Sequence, residues 1–259
     1  LDRGALVALG LAVGVAVVAR DAGACMCVRH TALLLAPNRE NDAPLNTRVR
    51  VDIIRYRLFE IAGARLSLRA VGGAEVATTM RGPLPAKGLS TIAELVPRAP
   101  LEPRTRYEVA FVVPGQVPEA LVFGMFTTGT TSDTTPPVLD TMGSFTVGGL
   151  PPPPNQSVIV TSSCGGDTPH VVIEGVASHD PARPGAQLLY GAWIGTDTTR
   201  PPDGIFPAND GRLVVGAAST CELDFDFPKV KSTMLSIAAI DEAGNASAPR
   251  KLKIDLVHP

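Results

Sequence analysis

The stretch FTTGTTSDTTPPVL, Phe126 to Leu139, constrains this chain most. Small polar residues cannot contribute to a core, and the Pro136-Pro137 pair favours extended, polyproline-like backbone. Apolar residues alternate with polar ones on both sides of it. A chain interrupted in this way is expected to build two bodies, with residues 129–136 as the connector.

The alternation has period two, which is the signature of half-buried strands. Val49, Val51 and Ile53 alternate with Arg50 and Asp52. Leu66 and Leu68 alternate with Arg65, Ser67 and Arg69, and Tyr107, Val109, Phe111 and Val113 with Arg106 and Glu108. Leu121, Phe123 and Met125 form another set, and Thr31–Ala36, Glu75–Met80 and Ser90–Leu95 complete it. Seven short strands in about 100 residues is the arithmetic of a β-sandwich. After the connector, Leu223, Phe225 and Phe227 alternate with Glu222, Asp224 and Asp226, and Leu235, Ile237 and Ala239 continue the pattern. Leu252, Ile254 and Leu256 stand against Lys251, Lys253 and Asp255. With Gly 25 and Pro 24 in 259 residues, turns are plentiful, and no long helix is expected from Val28 onward. The prolines of Gly148–Ser157 cannot join a central sheet and read as an exposed loop.

Three segments carry a family resemblance. Pro37, Pro44, Leu45, Asn46 and Thr47 lead into a strand; Leu101, Pro103, Thr105 and Tyr107 open a later one; and Phe123–Gly129 closes on FTTG. Together they resemble bacterial Ig-like domains of the SbsA/Big_5 type. The segment IIRYRLFEIAGARLSL departs from that pattern. The resemblance implies a sandwich over residues 28–128. Tyr107 then reads as structural, burying its ring and bonding its hydroxyl to upstream backbone. Near the end, IAAIDEAGNASAP is similar to the penultimate strand and turn of fibronectin-III or bacterial Ig-like repeats. That places a second sandwich at 137–257 and gives Asp241, Gly244 and Asn245 structural roles in a turn. Asp and Asn cap their own backbone, and Gly takes positive φ.

At the other end, Arg3 precedes an apolar run from Gly4 to Ala19, closed by Arg20. The run is short for a spanning helix, which needs about 20 residues, and suits a leader helix in a signal peptide at 1–24. Ala22-Gly23-Ala24-Cys25 resembles a lipobox with Cys25 as the lipidated residue, although Ala22 stands where Leu is usual. Simple secretion and an uncleaved anchor are the other readings. Export permits disulfides, and Cys164 and Cys221, both in the second body, are the natural pair. Cys25 and Cys27 are too close for an easy mutual bridge.

Catalytic and metal motifs are scarce. The cysteine and histidine spacings do not suit zinc. His30, His170, His179 and His258 are scattered, and His179-Asp180 reads as a loop pair ahead of Pro181. No H-E-x-x-H, G-x-S-x-G or phosphate-loop pattern occurs. Asp203, Asp210, Asp224, Asp226 and Asp241 offer the oxygen ligands calcium takes. Their spacing is not that of an EF-hand, so no cofactor is required and calcium is the one left open. Trp193 reads as a core or edge residue rather than a sugar platform. A net charge of −2 and pI near 6.1 give no basic footprint for nucleic acid.

The expectation is therefore an all-β chain of two tandem Ig-like sandwiches behind a hydrophobic leader. Its function would be that of a non-catalytic exported envelope lipoprotein, a binding or spacer module in adhesion or envelope assembly. Its partner would be an envelope protein or a glycan, with membrane attachment through the lipid or the leader. A polysaccharide-binding or enzyme-accessory module, motivated by Trp193, Tyr190 and the Asp-rich loops, is the alternative.

Overall fold

The computed structural model describes residues 32–37, 41–54, 64–81, 90–115, 120–149, 169–216, 225 and 227–256; among these described residues, period-two alternation becomes sixteen strands, with no helix. The leader at 1–24, Cys25, Cys27, Cys164, Cys221, Asp224, Asp226, His30 and His258 lie outside those residues.

The strands before the connector are β1 (Ala32–Ala36), β2 (Val49–Ile54), β3 (Arg65–Ala70), β4 (Thr78–Arg81), β5 (Ser90–Pro97), β6 (Arg106–Val112) and β7 (Ala120–Thr127). They form two antiparallel sheets, in the orders β1-β2-β5-β4 and β3-β6-β7. Val49, Val51, Leu68, Leu95, Val109, Phe111 and Phe126 fill the space between them. Tyr107, the second residue of β6, has its ring stacked on Phe126, centroids 5.6 Å apart, and its hydroxyl accepts the Glu102 N–H at 3.0 Å.

One alternation resolves differently from its reading. Leu121 and Met125 are exposed, and the residue of β7 that is fully buried is Phe126. The β6–β7 register shifts between Val109 and Ala110, where Val109 pairs with Gly124 and Ala110 with Val122. The extra residue of this bulge is Phe123, which packs against the first core.

After the connector come β8 (Val138–Thr141), β9 (Phe145–Gly148), β10 (His170–Ile173), β11 (Ala177–His179), β12 (Leu189–Ile194), β13 (Gly204–Asn209), β14 (Arg212–Val215), β15 (Ser232–Ile240) and β16 (Arg250–Asp255). Seven of these run in the order β16-β15-β12-β13-β14-β10-β9, and β11 pairs with β8. The sheet folds over one core through β13, whose first part pairs with β12 and whose end pairs with β14. Pro207, which would argue against a central strand, sits near that change of partner. Val171, Ile173, Tyr190, Phe206, Leu213, Leu235, Ile237 and Ile254 make this second core, with Phe225 packed edge-on to Phe206. The two main cores share no residue: one ends at Phe126 and the other begins at Leu139.

Replacing Tyr107 with Phe removes one hydrogen bond to the Glu102 N–H. The expected loss is about 1 kcal/mol of stability, read from denaturant midpoints, with the far-UV circular dichroism unchanged.

Candidate functional site

A half-buried strand normally turns its polar face to water. β2 does not. Val49 and Val51 point into the first core, yet on the opposite face Arg50 is only 1 % exposed and Asp52 is also buried. The cover is supplied by residues beyond the connector. Ala36 and Ile92 from the first body pack with Leu189 and Ile205 from the second.

Arg50 is the polar centre of this contact. It lies opposite Glu94 in the β2–β5 ladder, and its Nε donates to Glu94 Oε2 at 3.2 Å. Its Nη1 donates to the main-chain carbonyl of Asp241 at 2.7 Å, across the junction. Burial pulls the Arg50 pKa below the ordinary arginine value, and Glu94 is the main influence opposing that. Arg48 N–H donates to the Glu242 carbonyl at 2.7 Å, and Thr47 Oγ1 bonds the same carbonyl at 3.3 Å.

Both acceptor carbonyls, of Asp241 and Glu242, belong to the turn after β15. Asp241 Oδ1 accepts the Asn245 N–H at 2.8 Å, and Oδ2 accepts the Asn245 side-chain amide at 2.8 Å. Gly244 has φ +87°, a backbone conformation that demands glycine, and a Cβ there would lie 2.3 Å from Arg48 Nε and push that side chain aside.

The connector is pinned from both sides. Asn46 and Asp133 exchange two hydrogen bonds, Nδ2 to the Asp133 carbonyl at 2.7 Å and Asp133 N–H to Oδ1 at 2.9 Å. The Asn245 amide reaches that same carbonyl at 3.2 Å. Asp133 is 6 % exposed.

Two further carboxylates meet Asp133 here. Asp180, in the loop after β11, and Asp241 are each 1 % exposed, and one oxygen from each of the three lies within 4.8 Å of the others. Of the aspartates considered for calcium from the sequence, Asp241 is in this group. Asp203 instead pairs with Arg200 and accepts the Ile194 N–H, and Asp210 occupies the exposed β13–β14 turn at φ +50°. Asp133 and Asp180 were missed. The one signal for Asp133 is a lone acid in a Ser/Thr/Pro connector. Asp180, before a proline, looks like an ordinary turn residue.

A cleft of about 600 Å³ opens beside the junction, between Arg48, Arg81 and Glu94 on one side and Trp193, Arg200 and Pro201 on the other. Trp193 is 3 % exposed, and its indole N–H donates to the Arg200 carbonyl at 2.8 Å, so its ring is covered rather than displayed. The Tyr190 hydroxyl bonds Ser178 at 2.6 Å, and its ring lies in the second core. Among the described residues lining the cleft, Glu94 is the one carboxylate, and it is held by Arg50 and Arg48. His179 contacts Asp140 at 2.8 Å on the surface, away from its sequence neighbour Asp180. No protein-family model matches the chain, and no curated protein is detectably similar to it.

Two outcomes follow from this geometry. Arg50→Ala strands the Asp241 carbonyl and leaves Glu94 to Arg48 and Arg81 alone, and should cost about 3 kcal/mol in equilibrium unfolding. The second concerns pH. Burial foremost, with the Asp133 charge adding, raises the Asp241 pKa; hydrogen bonds from Asn245 and Gly244 oppose the rise. The folded chain therefore holds this proton more tightly than the unfolded one. In chelator-containing buffer, that contribution to stability is largest below about pH 4. It falls as pH climbs through the raised native value. Melting temperatures recorded against pH should show this decline in the parent and a flatter profile in Asp241→Asn.

Proposed function

We propose that the chain is an exported bacterial envelope protein, anchored by lipid on Cys25, with two Ig-like sandwiches at 28–128 and 137–257. They act as a non-catalytic spacer that presents a binding surface to an envelope protein or a glycan. The observation that carries the spacer reading is the covered outer face of β2 and β5. Arg50, Arg48 and Asn46 tie the first body to the second and to the connector, as a strut requires and a flexible tether does not.

The Ig-like assignment is supported by strand order. β1-β2-β5-β4 over β3-β6-β7 follows the ABED and CFG arrangement of constant-type immunoglobulin sandwiches. Tyr107 occupies the place of the tyrosine corner, at the start of the sixth strand. In the second body, β9-β10-β14 and β16-β15-β12-β13 divide the strands between two walls as a fibronectin-type sandwich does. The glycan-binding alternative has less support, because the Trp193 ring that motivated it is covered.

Expression of the full chain in a bacterial host fed radiolabelled palmitate tests the anchor. The parent should carry the label and sediment with membranes, and Cys25→Ala should lose both properties. An unlabelled parent would rule out lipid anchoring.

A further inference from the structure

We propose that Asp133, Asp180 and Asp241 form a calcium site that locks the connector to the second body. A calcium–oxygen bond is about 2.4 Å long, so two oxygens on one ion lie at most about 4.8 Å apart. The three aspartates meet that limit mutually.

The clearest sign that the cluster takes a ligand is what its oxygens leave undone. Asp133 Oδ1 accepts the Thr135 N–H at 2.9 Å, and Asp180 Oδ1 accepts those of Ala182 and Arg183 at 2.9 and 3.1 Å. These turns fix each carboxylate by one oxygen. The second oxygen of each, Asp133 Oδ2 and Asp180 Oδ2, is buried and has no hydrogen-bond partner. An unsatisfied buried carboxylate oxygen is strongly unfavourable unless the group is paired or coordinates a metal. Among the described residues, no lysine or arginine lies within ion-pair distance of the three carboxylates. Arg183, the nearest cation in sequence, directs its guanidinium to Glu242 at 3.6 Å and to the Asp42 carbonyl.

An oxygen-only donor set suits a hard cation and not zinc or copper. Calcium takes six to eight oxygens with flexible geometry, so water can complete its shell. Magnesium demands a near-ideal octahedron at about 2.1 Å and keeps most of its own water. The three ligands come from the connector, the loop after β11 and the turn after β15, so an ion here ties together segments that otherwise meet through hydrogen bonds and the Arg183–Glu242 ion pair. The inference adds a ligand to the junction and is independent of the export reading, since its test uses purified protein.

Equilibrium dialysis of the purified chain against calcium should give one bound ion per molecule. At 100-fold excess over the dissociation constant, calcium should raise the melting temperature by roughly 5–10 °C over chelator, and magnesium by much less. Asp180→Asn keeps the turn-forming oxygen and should lose at least about tenfold in calcium affinity, while melting in chelator no lower than the parent. Asp210→Asn should bind as the parent does. No bound calcium in dialysis, equal stabilisation by magnesium, or undiminished affinity in Asp180→Asn would each overturn the proposal.

Discussion

The Arg50 guanidinium is where the two bodies become one. It sits on a strand whose other face packs the first core, is almost wholly buried, and is satisfied from both sides of the junction. A buried cation of this kind is weak as a source of stability but strict about geometry, because any displacement strands a charge. The apolar contact of Ala36, Ile92, Leu189 and Ile205 is not directional. Arg50 therefore fixes the angle at which that contact closes, and the turn after β15 must present its carbonyls where Arg50 and Arg48 can reach them. The demands on Gly244 follow from the same requirement.

Holding that turn against the first body has an electrostatic consequence. It buries Asp241 beside Asp133 and Asp180, while the Arg50 guanidinium bonds Glu94 and meets Asp241 at its main-chain carbonyl. The junction thus gathers three carboxylates that, among the described residues, have no arginine or lysine in direct ion-pair contact. Protonation of Asp241 and coordination of calcium are two responses to one arrangement, the first dominating in acid and the second at neutral pH when the ion is present.

Much of the fold was legible because strand periodicity is local. The alternations around Val49–Ile53, Leu66–Leu68, Tyr107–Val113 and Leu235–Ala239 all became strands. β13 was not legible, since Pro207 marks a break in a short-range reading and its tolerance depends on where the strand changes partner. The bulge at Phe123 was hidden for a related reason: it depends on the register of β7 with β6. The site was far less legible. Arg50 and Asp52 alternate as a solvated face would, and nothing local tells a docked polar face from a wet one. Asp133, Asp180 and Asp241 are separated by whole strands, so only the folded chain brings their carboxylates together.

The central claim is that the strands before and after the connector move as one body. Nitrogen-15 relaxation of the purified chain tests it directly, because amides on β2, β5 and β6 report the first body and those on β12, β15 and β16 the second. The account predicts that one rotational diffusion tensor fits both sets in the parent, and that two are needed in Arg50→Ala. Separate, faster tumbling of the two sets in the parent would contradict it.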